Sequence, residues 1–355
     1  MNLFLGMAYN PEFWPKERWQ IDAKLMREIN IKHARMGEFA WCRFEPTEGE
    51  FDFSWMDEAV EILSKEGIKT IMCTPTATPP AWLIYKHPEI LPIGADGLVS
   101  NPFGSRRHYC CNVPAYHEHT RKIVTAIAEH YGENPNVIGW QIDNELAQTY
   151  RLDLARCYCE TCRKKFNEWL KRKYGSLEAL NKAWGAVFWS QEYSDWDQIV
   201  LPRRGIASEG LNPSHMLDYY RFFSDSWAEY TKLQADTLRK HVRNQWISTN
   251  FAAGGGTGTT AAMYRAGCHW FPCIVNWGDL SKSLDFPAWS AHVDPSNPVA
   301  SICDDFLRGI REDGKFACLE TGADRMRLYQ QIARGGIGLA AFTWRRPPSG
   351  AESGL

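Results

Sequence analysis

Two glutamates follow short apolar segments of the kind that form buried strands. Glu145 ends the segment VIGWQIDNE, which starts at Val137, and Glu320 ends KFACLE, which starts at Lys315. If both segments are parallel strands of one barrel, their carboxyl ends lie on one face and the two carboxylates can meet there. Retaining glycoside hydrolysis uses such a pair about 5–5.5 Å apart, one as acid/base and one as nucleophile. Each Glu taken alone is also consistent with a helix cap or an ion pair with an arginine.

Aromatic residues are the second indication of a sugar substrate. The chain has 16 Trp, 14 Tyr and 17 Phe among 355 residues. Most of these rings are expected in the core, because large aromatic side chains are usually buried. The remainder could stack on the apolar face of a sugar ring, and Trp344 is one candidate.

A cysteine triplet has the spacing of a metal site. Cys157, Cys159 and Cys162 lie close together in the chain, and Cys110 and Cys111 lie in a preceding long loop. Four thiolates around Zn²⁺ would form a closed structural site with no open position for catalysis. Free, partly buried thiols are the alternative interpretation.

Composition excludes several other classes of protein. Lys and Arg number 40 and Asp and Glu number 42, so no basic excess supports binding to nucleic acid or to a membrane surface. No apolar stretch is long enough to span a bilayer, and the amino terminus lacks the pattern of a secretory signal. An odd number of scattered cysteines, 11, then favours a reducing compartment, which predicts a cytoplasmic protein.

The order of predicted elements indicates the fold class. Strand patterns alternate with amphipathic helices, and Val137–Ile142 is a continuous apolar segment typical of a strand buried on both faces. We therefore predict a single α/β domain over residues 1–355, an eight-stranded (β/α)8 barrel that is irregular around strands 6–8. An open doubly wound sheet is the competing fold. No G-x-G-x-x-G follows the first strand, so no dinucleotide cofactor is expected, nor any other organic cofactor.

Motifs that run in order along the first 250 residues resemble glycoside hydrolase family 42, the bacterial β-galactosidases. The resemblance is carried by these segments: YNPEFWP from Tyr9, FAWCRFEPTEGEFDFSWMD from Phe39, TPTATPPAWL from Thr74, RRHYC from Arg106, IGWQIDNE from Ile138, CYCETC from Cys157, FWSQEYSDWDQI from Phe188 and NPSHMLDYYRF from Asn212.

This resemblance implies a barrel that cleaves terminal β-D-galactosyl residues with retention. Glu145 corresponds to the acid/base, Glu320 to the nucleophile, Asn144 to the ligand of the sugar 2-hydroxyl and Arg106 to a substrate-binding arginine. Trp344 and Glu352 correspond to a final WR…GAE segment in which the Glu holds sugar hydroxyls.

The resemblance also assigns the cysteines and suggests an assembly. The cluster matches a zinc site seen in some members, with Cys110 rather than Cys111 as the fourth ligand beside Cys157, Cys159 and Cys162. Relatives are commonly trimers, so a homo-oligomer is a further expectation.

Three departures from the family pattern leave alternatives open. A segment resembling DFVSWDNYP, with a Tyr near the nucleophile, is not found in residues 252–278, and a compensated frameshift there is one hypothesis. The loop after Glu320 is short, since Thr321–Asp324 leads directly into a predicted helix. The family's later trimer-forming and β domains are also not found. The alternatives to a β-galactosidase are therefore a truncated or inactive sugar-binding barrel, or an α-L-arabinopyranosidase.

Overall fold

Parallel strands form the centre of the protein, in a computed structural model that describes residues 3–147, 156–203, 210–252, 275–292, 298–351 and 353. The strands are β1 (Phe4–Ala8), β2 (His33–Met36), β3 (Lys69–Cys73), β4 (Val137–Gln141), β5 (Trp246–Ser248), β6 (Asn250–Ala252), β7 (Ala288–Ala291), β8 (Ala317–Thr321) and β9 (Gly338–Ala341). Every observed pairing between them is parallel.

The sheet closes on itself at a single extended segment. The strand order is β5-β4-β3-β2-β1-β9-β8-β7-β6. Its two end strands, β5 and β6, are consecutive in the chain and are separated only by Thr249. They act as two halves of one strand, since β5 pairs with β4 while β6 pairs with β7. Residues 246–252 therefore complete an eight-stranded barrel, which confirms the predicted fold class.

Helices surround this barrel. They are α1 (Lys16–Glu28), α2 (Trp41–Phe44), α3 (Ser54–Lys65), α4 (Ala81–Lys86), α5 (Pro114–Tyr131), α6 (Glu160–Tyr174), α7 (Leu177–Trp184), α8 (Pro213–Arg239), α9 (Trp277–Ser281), α10 (Pro298–Ile310) and α11 (Arg325–Ala333). The long helix α8 begins where Asn212 caps it: the Asn212 side chain accepts hydrogen bonds from the backbone N–H groups of Ser214 and His215. No helix in these ranges is long and apolar enough to cross a membrane.

The long loop expected before the cysteine triplet is not entirely irregular, because it contains α4 and a 3₁₀ turn at Pro88–Ile90. Residues 37–40 form a turn that leads into α2. The expected irregularity of the later strands is present, because the register of β7 against β8 shifts between Trp289 and Ser290.

Aromatic side chains fill the floor of the barrel. The ring of Trp246 stacks on Phe4 with centroids 5.8 Å apart and contacts Phe286 at 5.0 Å. It lies against Gly139 of β4, where an added Cβ would come within 2.1 Å of the ring. The absence of a side chain at Gly139 thus leaves room for the ring of Trp246, its register partner on β5, to lie over β4.

Gly139→Ala is expected to destabilise the protein by about 1–3 kcal/mol, because the new methyl group overlaps the partly buried Trp246 ring. Urea unfolding measures the change. Gly309→Ala is the matched control: Gly309 lies in α10 with open space around its Cβ position, so this change should stabilise by about 0.5–1 kcal/mol. Equal effects of the two substitutions would contradict the packing described for the barrel floor.

Candidate active site

The two predicted carboxylates meet at the carboxyl end of the barrel. Glu145 follows β4 and is 2% exposed, whereas Glu320 lies within β8 and is 4% exposed. A carboxylate oxygen of each lies within 4.8 Å of the other. Residues separated by about half of the chain are thus brought into proximity, as the sequence analysis expected.

Arg35 contacts Glu320 from β2, which is separated from β8 by β1 and β9 in the sheet. The fully buried Arg35 of β2 donates from Nη2 to Glu320 Oε2 at 2.8 Å and to Glu38 Oε1 at 3.0 Å. Its Nη1 donates to Gln141 Oε1, also at 2.8 Å. Burial by itself would raise the pKa of Glu320, but the Arg35 charge and a hydrogen bond from His292 outweigh it and lower that pKa. Glu320 is therefore an ionised carboxylate at neutral pH.

Asn250 connects the two halves of the site. Its Nδ2 lies within 3.1 Å of oxygen acceptors on Asn144, Ser290 and Glu320. Its Oδ1 accepts a hydrogen bond from the backbone N–H of Glu145 at 3.1 Å. Because Asn250 begins β6, the strand that closes the barrel also fixes the position of one glutamate relative to the other.

The segment that carries Glu145 has an unusual backbone. Asp143, Glu145 and Ala147 all have positive φ values, of 53°, 49° and 61°, and this left-handed conformation costs roughly 1–2 kcal/mol for each non-glycine residue. The buried Asp143 carboxylate helps to hold it, since it accepts hydrogen bonds from Thr76 at 2.5 Å and Tyr109 at 2.9 Å. The strain is thus located where the Glu145 side chain is aimed into the cleft.

Two arginines flank Glu145, although the sequence indicated only one. Arg106 Nη2 lies 3.4 Å from Glu145 Oε2, and Arg107 Nη1 lies 3.3 Å from the same oxygen. The Arg106 side chain is 27% exposed and that of Arg107 is 7% exposed. Arg106 is therefore the more exposed of the two arginines.

Asn144 presents a free hydrogen-bond donor. Its Oδ1 accepts from Asn250, but its buried Nδ2 has no hydrogen-bond partner among the described residues. A buried donor left unpaired costs about 1–3 kcal/mol, so such a group is normally matched by a ligand or water. This position suits the predicted contact with a sugar hydroxyl.

Trp344 lies on the same rim of the barrel. It follows β9, and its backbone N–H donates to the carbonyl of Ala8 at the end of β1, at 2.9 Å. Its indole Nε1 is buried without a hydrogen-bond partner within the described ranges. Glu352, the other residue expected in this region, lies outside the described residues.

His292 is a site residue that the sequence analysis missed. It follows β7 directly, and its Nε2 lies 2.8 Å from Glu320 Oε1. The segment expected at residues 252–278 is instead matched at 285–293, where DFPAWSAHV shares Asp, Phe and Trp with DFVSWDNYP and has His292 in the place of its Tyr. Residues 253–274, including most of the stretch attributed to a frameshift, lie outside the described residues. The loop after Glu320 is short as expected, because α11 starts at Arg325 with Asp324 as its cap.

Four sulfur atoms form a second cluster away from the carboxylates. The Sγ atoms of Cys110, Cys157, Cys159 and Cys162 all lie within 4.8 Å of one another. Cys110 Sγ is 3.4 Å from Cys162 Sγ and 3.9 Å from Cys159 Sγ. Tetrahedral zinc with Zn–S bonds of about 2.3 Å separates its sulfurs by about 3.8 Å, so the donor set fits that ion. Cys111 is not part of the cluster.

Comparisons with known proteins identify the family. The family model described as beta-galactosidase, glycoside hydrolase family 42, matches residues 8–354. The chain belongs to glycoside hydrolase family 42. A beta-galactosidase of Thermus thermophilus is 38% identical over 98% of this chain. Among solved structures, the beta-galactosidase of Halorubrum lacusprofundi superposes with a TM-score of 0.87 at 35% identity and covers 99% of this chain.

The family 42 relatives are longer than this chain. The match spans 56% of the Thermus thermophilus protein and 54% of the Halorubrum lacusprofundi structure. The match to a beta-galactosidase structure from the psychrophilic Marinomonas ef1 spans a similar share, 55% of that chain, with a TM-score of 0.86 and 34% identity. The similarity thus concerns the barrel, which is about half of each relative.

Arg35→Met is expected to destabilise the protein by about 3–5 kcal/mol at neutral pH, because it leaves buried carboxylates without their cation. The pKa of Glu320 is lowered in the folded protein, so the stabilisation is present above the unfolded value of about 4.3 and is lost as the pH falls towards the folded value. Urea unfolding of both proteins should therefore show the difference shrinking in acid.

The exposed pair Lys65–Glu61 provides the control for this experiment. Both side chains are about two-thirds exposed, at 67% and 64%, so Lys65→Met should change stability by less than about 0.5 kcal/mol. A loss in Arg35→Met that stays constant from neutral to acid pH would contradict the ionised state of Glu320.

Proposed function

We propose that this chain is the catalytic barrel of a retaining β-galactosidase. The observation that carries the proposal is the separation of the two glutamates, whose carboxylate oxygens lie within 4.8 Å. This distance is consistent with the pair used in retention and is shorter than the roughly 6.5–9.5 Å that inverting enzymes need to admit a water molecule.

The environments of the two glutamates support different roles. Glu320 is ionised and is held by Arg35 and Asn250, as a nucleophile requires. In the first step Glu320 attacks the anomeric carbon while Glu145 donates its proton to the departing glycosidic oxygen. In the second step Glu145 takes a proton from water, and the attack of that water returns Glu320 to a free carboxylate.

In this proposal the sugar is held by Asn144 and Arg106. Asn144 Nδ2, which has no hydrogen-bond partner among the described residues, would bind a hydroxyl next to the reacting carbon, and Arg106 lies beside Glu145 with its side chain 27% exposed. Trp344 would supply an apolar surface at the rim. Galactose is proposed as the sugar because the family relatives are named beta-galactosidases.

Glu320→Ala is expected to abolish turnover of aryl β-galactosides, a loss of at least about 10⁴-fold, because no nucleophile remains. Added azide should then attack directly and form a galactosyl azide, which NMR identifies. Glu145→Gln should slow poor leaving groups most, since they depend on protonation. Glu61→Gln, an exposed change on α3, is the control and should leave kcat unchanged.

Two outcomes would favour the other functions. Higher kcat/KM on aryl α-L-arabinopyranosides than on aryl galactosides would reassign the substrate, since that sugar is galactose without its hydroxymethyl group. Binding of galactose in calorimetry without turnover would indicate a sugar-binding barrel instead. Full activity in Glu320→Ala would reject the proposed nucleophile.

We also propose that the cysteine cluster holds a structural Zn²⁺. Cys110, Cys157, Cys159 and Cys162 supply four sulfurs at suitable distances, and nearby N–H donors are directed at them: Asn112 Nδ2 to Cys162 Sγ and the backbone N–H of Ile93 to Cys157 Sγ, both at 3.4 Å. Such donors stabilise thiolates that bind metal. An all-cysteine site leaves no open position, so the ion would hold the loops together rather than act on substrate.

Cys110→Ser is expected to lower bound zinc from about one equivalent to less than about half, because it removes one ligand of four. Elemental analysis of the purified protein measures this. Cys111→Ser is a matched control, since Cys111 is adjacent in sequence and also buried but lies outside the cluster. Loss of metal in the control alone, or wild-type protein without zinc, would favour free thiols.

A further inference from the structure

His292 has no role in the mechanism just described, yet it contacts the nucleophile. Its Nε2 lies 2.8 Å from Glu320 Oε1, on the opposite oxygen from the one that Arg35 and Asn250 contact. The imidazole is 37% exposed, whereas Glu320 is 5% exposed. Of the three side chains named here that contact Glu320, His292 is therefore the one that can exchange protons with the solvent.

We propose that His292 is a positioning residue that acts on Glu320 as a cation, orienting the carboxylate and stabilising its charge when it is released from the sugar. The inference rests on the proposed function, in which Glu320 is the nucleophile. It gives this chain a titratable group at a position where the family segment DFVSWDNYP has a Tyr, which can donate a hydrogen bond but carries no positive charge.

The charged groups around His292 favour its protonated form. Glu320 of β8 contacts Nε2 directly, and a carboxylate oxygen of Glu145, after β4, lies within 4.8 Å of a ring nitrogen. The positive charge of Arg35, on β2, disfavours protonation of His292, but Arg35 is already paired with Glu320 and Glu38. The ring of Phe342, which directly follows β9, packs edge-on against the His292 ring, with the ring centroids 6.3 Å apart. Burial lowers the pKa of His292, and the two glutamates outweigh both burial and Arg35, so the net direction is upward.

Protonated His292 affects the rates of the two chemical steps to different extents. In the first, a Glu320 oxygen bonds to the anomeric carbon, the bond to the aglycone breaks with its electron pair, and the proton of Glu145 goes to the leaving oxygen. In the second, water attacks, its proton goes to Glu145, and the electron pair of the breaking carbon–oxygen bond returns to Glu320. A positive charge beside Oε1 stabilises the returning carboxylate. It therefore assists the second step more than the first.

NMR titration of His292 tests the ion pair without any need for activity. Its ring signals are assigned by their loss in His292→Gln. We expect the pKa of His292 to fall by at least about one unit in Glu320→Gln, because the isosteric amide removes the charge but keeps the shape. Glu145→Gln, which removes the more distant carboxylate, should give a smaller fall. An unchanged His292 pKa in Glu320→Gln would overturn the proposal.

Kinetics test the role in the reaction. The substrate is an aryl β-galactoside with a good leaving group, for which a pre-steady-state burst shows that the second step limits kcat. One pH unit below the measured pKa of His292, we expect kcat of His292→Gln to be about tenfold below wild type, with a smaller loss in kcat/KM. One unit above it the ratio should approach one, because wild-type His292 is then neutral as well.

A purely structural role would give a different pattern. If His292 only packed beside Glu320, the loss in His292→Gln would be the same at every pH, and that result would overturn the proposal. His292→Tyr keeps a neutral donor and should show the same loss of pH dependence as His292→Gln. Wild-type protein without activity on any aryl galactoside would reject the proposed function, while the NMR titration would still decide the ion pair.

Discussion

The buried ion pair between Arg35 and Glu320 is the interaction on which the arrangement of the site depends. An isolated carboxylate in a barrel interior would be costly to ionise, and Arg35 removes that cost by donating to Glu320 at 2.8 Å. The same guanidinium also binds Glu38 and Gln141. One side chain therefore links the ends of β2, β4 and β8, and those strands must keep their register for Glu320 to remain charged.

The two glutamates differ because their surroundings differ. Glu320 is part of a strand and is held by side chains of the barrel interior. Glu145 lies on a left-handed turn after β4, its backbone N–H is bonded to Asn250 and its carboxylate faces two arginines from a loop. Separate environments are what would allow two chemically identical groups to take the different roles proposed for them, nucleophile and acid/base.

The cysteine cluster and the carboxylate site are connected through a short piece of chain. Arg106 and Arg107 contact Glu145, and Cys110 lies only a few residues further along the same loop. The other three cysteines of the cluster follow Glu145 in the chain. The four cysteines thus come from the loop that supplies the arginines and from the part of the chain that follows β4, so the proposed metal ion would join these two segments.

Local patterns in the sequence predicted the alternation of strands and helices and the two glutamates at strand ends. Family resemblance predicted that Cys110, rather than Cys111, is the fourth cysteine of the cluster. These depend on periodicity and motif, which are properties of neighbouring residues. The pattern did not reveal β7, because four residues, Ala-Trp-Ser-Ala, are too few to show a period, and His292 was therefore missed with it. Polar residues within apolar strands, such as Arg35, were a signal that could have been used.

Only the tertiary structure decided which of these groups touch. Arg35 and Glu320 are separated by 285 positions, and no local rule relates residues so far apart. Closure of the barrel at residues 246–252 brings Asn250 between the two glutamates and sets their distance. The sequence by itself thus determined the chemical groups and the fold class. Contact, charge state and the place of His292 followed from closure, since the side chains at the strand ends meet only once β5 has paired with β4 and β6 with β7.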